Sequence, residues 1–260
     1  MEIAIIQFRP VLGSPDENIA KLEGLFKHTG KAQLIVLPEL ASSGYNFSGY
    51  KEAYVCSEDL ENSRFVDFLV QKAREKGAHI VSGINERAGE KLYNTSILVG
   101  PEGIKAKYHK IHLFMNEKKI FQPGEGDLPV VDIGDCKVGM LICFDYLFPE
   151  IWRAEAMMGA DIICHPSNLI TLNAHRSVPG LSVQNRVFIA TANRTGTERG
   201  LWFSGQAFVT NPSGEVLAIG SQDHDEVVKT ELDISLARNK FINPINHVFN
   251  DRRPDIYTRL

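Results

Sequence analysis

Three side chains have the types needed for covalent hydrolysis, and each stands at or just beyond an apolar run. Glu39 closes LIVLPE (34 to 39), Lys110 lies inside KAKYHKIHLF (105 to 114), and Cys143 lies inside KVGMLICFDYLFPE (137 to 150). A carboxylate at the edge of an apolar strand is desolvated, which lifts its pKa toward the range of a general base. An ammonium among aromatic and aliphatic residues needs a carboxylate or a developing anion beside it. A thiol where a strand turns into a helix, near the helix N-terminus and a lysine, is expected to favour the thiolate, the nucleophilic form. Each residue alone also has a plainer reading: a solvated or capping glutamate, a surface lysine, an inert core thiol. Cys56, Cys136 and Cys164 keep the plainer reading, whereas Cys143 is set apart by the turn that follows it.

The elements that must position these groups are legible as apolar patterns between turn signals. Residues 2 to 8 read as a strand. Ser14-Pro15-Asp16-Glu17 then opens a helix with Ser14 as N-cap, Ile19, Leu22 and Phe26 at helical spacing, and Gly30 as the stop. A strand at 33 to 37 ends at Pro38. A helix at 63 to 76 carries Phe65, Phe68, Leu69 and Ala73 on one face and stops at Gly77. Strands are expected at 79 to 84, 93 to 99, 104 to 112, 129 to 133 and 137 to 143, then a helix from Pro149 and a strand at 161 to 164. Further strands lie near 187 to 192, 205 to 210, 215 to 219 and 227 to 232, with a hairpin at 211 to 214. Early strands alternate with helices and later ones pair through short turns, which predicts an α/β domain with mixed sheets covered by helices. No interior linker or repeat divides residues 1 to 260. The tail from 241 to 260, with Asn243-Pro244, Arg252-Arg253-Pro254 and several aromatic residues, is expected to pack on something, a second subunit being one candidate.

Composition narrows the function classes. Of 260 residues, 43% are hydrophobic and 23% charged, which fits a globular chain. Lys plus Arg is 28 against 32 for Asp plus Glu, giving −4 with no basic block, so nucleic-acid and anionic-membrane partners are not expected. No apolar run has the roughly 18 to 20 residues of a membrane span, and Met1 leads directly into a strand, so a cytoplasmic location is expected. Four dispersed cysteines without Cys-x-x-Cys fit reduced thiols. No phosphate-binding glycine loop and no Gly-x-Ser-x-Gly elbow is present. His109 and His112 have a spacing that suits a helix, but their segment reads as a strand without a third ligand, so neither a metal nor an organic cofactor is expected.

Taken in order, LPEL at Glu39, KYHKIHLF at Lys110 and GMLICFDYLFPE at Cys143 resemble the nitrilase superfamily, the carbon-nitrogen hydrolases with a Glu-Lys-Cys triad. HPSN (165 to 168), NR (185 to 186), ANRTG (192 to 196), FSGQAF (203 to 208) and NPSGEVLA (211 to 218) extend the resemblance over nearly the whole chain. It implies a four-layer αββα sandwich that associates as a homodimer or higher homo-oligomer. It also implies Cys143 as nucleophile, Glu39 as general base and Lys110 as the cation for the tetrahedral intermediate. Glu117, in NEKKIFQPG, matches a second family glutamate that positions substrate or helps proton transfer, and the backbone N–H of Phe144 would complete the oxyanion site. Tyr45, Phe114, Tyr146, Asn168 and Trp202 lie where the family builds its substrate wall. Arg176 and Arg194 are candidates for a substrate carboxylate but read as exposed surface. Strict nitrilases carry Trp-Glu after the nucleophile, whereas this chain has Phe144-Asp145. The expected activity is therefore hydrolysis of a small linear amide or carbamoyl compound through a thioester with release of ammonia. The alternatives are a nitrilase for small aliphatic (di)nitriles and an idle scaffold of the same fold.

Overall fold

Ile3, Ala4, Ile5 and Ile6 are all fully buried, so the first strand must be covered on both faces. The structure, a computed structural model, describes residues 1–257 and shows what covers it. In chain order the elements of the first half are β1 (Glu2–Gln7), α1 (Pro15–Phe26), β2 (Leu34–Val36), α2 (Tyr50–Val55), α3 (Arg64–Lys76), β3 (His79–Ala88), β4 (Lys91–Gly100) and β5 (Gly103–His109). The second half has β6 (Val130–Asp132), β7 (Lys137–Met140), α4 (Pro149–Met157), β8 (Ile162–Ser167), α5 (Asn173–Asn185) and β9 (Phe188–Asn193). It continues with the small ribbon β10 (Thr197–Glu198) and β11 (Leu201–Trp202), then β12 (Phe208–Thr210), β13 (Val216–Ile219), β14 (Glu226–Glu231), α6 (Ser235–Arg238) and α7 (Pro254–Tyr257).

Two six-stranded sheets result, ordered β14-β1-β2-β3-β4-β5 and β13-β12-β9-β8-β7-β6. Each has a parallel centre, β1-β2-β3 in one and β7-β8-β9 in the other, flanked by antiparallel strands. Strand alternation assigns the faces. Ile3, Ile5, Leu34, Val36 and Val81 meet Val138, Met140 and Ile163 of the second sheet in one apolar core. Ala4, Ile6, Ile35, Ile80 and Ile97 look the other way, onto Leu22 and Phe26 of α1 and Phe65 and Leu69 of α3. Trp152 of α4 and Val178 and Leu181 of α5 cover the outer face of the second sheet. The layers are thus helix, sheet, sheet, helix, as expected.

Several local expectations change. Ser14 occupies the N-cap of α1 but its side chain makes no capping bond; the neighbouring Asn18 instead binds Val11 through both its carbonyl and its amide. The strand expected to reach residue 112 ends at His109, the one expected to reach 143 ends at Met140, and the one expected from 205 starts at Phe208. Helix α5 had no clear helical signature: it contains Pro179, Gly180 and several weak helix formers, and its buried Ala174, Val178 and Leu181 hold it by packing. The tail exposes Phe241, Ile242 and Ile245; its last three residues, 258 to 260, lie outside the described residues. Among the described residues no helix is long and apolar enough to cross a membrane.

After β2 the chain keeps to the side of β3: Leu37 N–H donates to Val81 O, Gly83 N–H to Pro38 O and Ala41 N–H to Gly83 O. This close approach requires glycine at 83, where a Cβ would meet the Glu39 Cα at 2.4 Å and the Leu40 nitrogen at 2.5 Å. Gly83→Ala must therefore push the Glu39 backbone aside. The expected cost is about 1–3 kcal/mol, a Tm drop of roughly 3–10 °C by calorimetry. Activity should fall by on the order of 10²-fold because Glu39 is displaced; an alanine variant with wild-type Tm and turnover would contradict this reading of the contact.

Candidate active site

Glu39 is fully buried just past β2, and the sheet supplies its surroundings. Asn94 of β4 donates from Nδ2 to Glu39 Oε1 at 2.7 Å, while its backbone carbonyl accepts the Lys110 N–H at 2.8 Å. One residue of β4 therefore fixes both the carboxylate and the segment after β5. Lys110, also fully buried, donates from Nζ to Glu39 Oε1 and to Glu117 Oε1, both at 2.8 Å. Glu117 receives two further bonds, from the Tyr45 hydroxyl on Oε1 at 2.8 Å and from the Phe114 N–H on Oε2 at 3.1 Å. Glu39 Oε2 is buried and has no partner.

Cys143 comes from the other sheet. Its φ is +43°, an unfavourable backbone conformation for a residue with a side chain, and the turn from Cys143 to Leu147 is held by polar contacts. Buried Asp145 accepts from the Ile142 N–H and the Tyr108 hydroxyl at 2.8 Å each and pairs with His112 Nδ1 at 2.7 Å. His165 Nε2 lies 2.8 Å from the Cys143 carbonyl, which can only accept, so this nitrogen carries the proton and Nδ1 is free to accept from Thr191. Burial holds His165 down at about 4, in its neutral form.

Electrostatics correct one expectation. Burial above all, then the charge of Glu39, pushes the Cys143 thiol well above its ordinary value; Lys110 and the Asn168 backbone N–H act in the opposite sense without winning. The helix α4 begins only at Pro149, six residues on, so its dipole is too far away to help, and the resting form is the neutral thiol. Burial likewise raises Glu39, against the pull of Lys110, as its sequence setting implied. Lys110 is held above its ordinary value: burial works against the charge, but Glu117 and Glu39 outweigh it.

A cleft of about 190 Å³ opens onto the sulfur. Phe114, Phe144, Tyr146, Leu147, Leu169 and Ile170 give it apolar walls, and Asn168, Thr171 and Asn173 supply neutral polar groups. Phe114, Phe144, Tyr146 and Asn168, all candidate site residues from the sequence, line this cleft. Tyr45 does not line this cleft; it borders a void of about 30 Å³ beside Glu117. Trp202 is 43% exposed on the β11 ribbon and lines neither cavity. Arg176 is exposed as expected, but Arg194 is fully buried, because Glu198 accepts its N–H at 2.9 Å and the Phe203 ring lies 4.1 Å below its guanidinium. Glu198 also accepts the backbone N–H groups of Tyr45 and Asn46, so this pair braces the loop that carries Tyr45. Asp145 and His165 lie inside the quoted motifs GMLICFDYLFPE and HPSN but were given no role from the sequence, and Asn94 and Glu198 lie outside the quoted motifs. His109 and His112 go to different carboxylates, Glu86 and Asp145.

The carbon-nitrogen hydrolase family model matches residues 2–240. A protein named nitrilase from Pyrococcus abyssi is 43% identical over 261 residues, covering 100% of both chains. The 2-oxoglutaramate amidase of Bacillus subtilis is 31% identical over 98% of each chain. A mutant amidase from Nesterenkonia sp. AN1, solved with acrylamide added to its active-site cysteine, superposes with a TM-score of 0.82 at 25% identity, covering 100% of this chain and 99% of that one. With the sandwich and a buried Glu-Lys-Glu cluster beside a cysteine already in place, these matches settle the family: the chain belongs to the carbon-nitrogen hydrolases of the nitrilase superfamily.

Proposed function

We propose that this hydrolase cleaves the C–N bond of a small linear amide or carbamoyl compound through a thioester on Cys143. The observation that carries the reading is the division of labour on Glu39: one oxygen is fixed by Lys110 and Asn94, and the other is buried and unpartnered on a carboxylate whose charge acts on the Cys143 thiol. In the first step the thiol proton passes to Glu39 Oε2 while sulfur attacks the carbonyl carbon. The oxyanion is met by Lys110, two of whose N–H groups are already engaged, and by the backbone N–H of Phe144. Glu39 returns the proton to the leaving nitrogen, the C–N bond breaks, and ammonia departs with the bonding pair. Water then gives a proton to Glu39 and attacks the thioester; the C–S bond breaks, the proton returns to sulfur, and the acid leaves. Glu117 keeps Lys110 charged and aimed.

The cleft contains no lysine, arginine or acid among its lining residues, which supports an uncharged, short acyl chain. The Pyrococcus abyssi relative supports a second reading, a small aliphatic nitrile processed through a thioimidate on the same sulfur. The exposed Phe241, Ile242 and Ile245 support the tail of this single domain as a contact with a second copy of the chain.

Cys143→Ala should lower ammonia release from short amides by at least about 10⁴-fold, and mass spectrometry of the wild type mixed with substrate should find the acyl group on Cys143. Undiminished turnover by the alanine variant would remove Cys143 from the mechanism. The pH profile has a fixed sign. Only ionised Glu39 can take the thiol proton, and burial raises its pKa, so kcat/KM should climb through a limb above the ordinary carboxyl value of 4.5. The thiol proton is needed for the leaving group and is also held more tightly, so the alkaline limb should lie above the ordinary thiol value of 9.0. Both limbs belong to the coupled cluster. Glu39→Gln should cost about 10²–10⁴-fold across the whole range, and an optimum at or below pH 4.5 would contradict the assignment.

A further inference from the structure

Asn168 touches the chemistry in two places: its backbone N–H lies against the Cys143 sulfur, and its side-chain Nδ2 donates to the Glu39 carbonyl at 3.0 Å. The second contact fixes the amide orientation, because a backbone carbonyl only accepts and must face the NH2 end. The side-chain carbonyl, Oδ1, therefore points away from that bond, and it is buried without a partner. Among the described residues it is the one such orphaned side-chain atom that belongs to a residue lining the cleft. Glu39 Oε2 and Asn94 Oδ1 are also buried without a partner, but neither residue lines the cleft, and Glu39 Oε2 is the oxygen assigned above to the thiol proton.

An orphaned acceptor on a residue that lines the cleft of the nucleophile constitutes a demand for a hydrogen-bond donor. A carboxamide or ureido NH2 group brings two N–H donors on the leaving nitrogen. A nitrile nitrogen brings none and would set its lone pair against the Asn168 oxygen. We infer that Asn168 Oδ1 receives an N–H of the scissile group and so selects a primary amide or carbamoyl substrate over the nitrile of the same chain length. This rests on the Cys143 thioester reading above and adds to it the identity of the leaving nitrogen. It also gives Asn168 a role distinct from wall packing, since a hydrophobic wall would treat the two compounds nearly alike, whereas a site built to accept N–H penalises the analogue that lacks it by orders of magnitude.

The test uses butyramide and butyronitrile with the full-length enzyme. Wild type should favour the amide in kcat/KM by at least about 10²-fold. Asn168→Ala should lower the amide value at least tenfold more than the nitrile value, so the preference narrows; a merely structural loss would move both equally. Protection of Cys143 from iodoacetamide by the same two compounds reads the contact without turnover and without the variant, and the amide should protect at no more than a tenth of the nitrile concentration. Equal protection, a nitrile turned over as fast as the amide, or parallel losses in Asn168→Ala would each overturn the proposal. Cys143 acylated by the nitrile alone would do so while leaving the thioester reading intact, whereas acylation of Cys143 by neither compound would count against that reading itself.

Discussion

One ammonium held between two carboxylates, with water excluded, is the constraint on which the rest of the site depends. Lys110 and Glu39 are fully buried and Glu117 is 4% exposed. Charges taken out of water are tolerated only when each is answered by an opposite charge or a hydrogen bond, so the protein spends several polar side chains on them. Asn94 serves Glu39, while Tyr45 and the Phe114 N–H serve Glu117. The requirement then spreads outward, because the loop bearing Tyr45 is tied down by Glu198, and buried Glu198 needs buried Arg194. What remains after this accounting is one oxygen of Glu39, buried with nothing bound to it.

That geometry inverts the usual way of activating a cysteine. The pull of Lys110 is spent on the two glutamates, and burial wins at the sulfur, so the thiol is protonated at rest. In the mechanism proposed above, a neutral thiol and a carboxylate of raised pKa keep the proton inside the site for the leaving nitrogen.

The layers were legible in the chain, and so were three candidate positions that the structure buries, because each depends on local pattern: an apolar run ended by Pro38, a basic residue in an apolar segment, a cysteine before a Pro-initiated helix. The family resemblance then joined segments that local pattern leaves separate. What stayed hidden depends on long-range pairing. Asn94 reads as one polar residue in a strand until Glu39, 55 positions earlier, comes alongside it. Arg194 reads as surface until Glu198 and the Phe203 ring enclose it. Helix α5 was hidden for a different reason, since packing on the second sheet overrides the poor helix propensity of its sequence.

Glu39 and Lys110 belong to one sheet and Cys143 to the other, and the Tyr108 and His112 contacts with Asp145 cross between them. The reacting groups are therefore aligned by the way two slabs are stacked rather than by any one segment of chain. A sideways slip of one residue between the slabs would shift the sulfur by about 3.3 Å relative to Glu39 while every strand kept its neighbours. Heat or pressure that loosens this seam would silence the enzyme before its secondary structure melts.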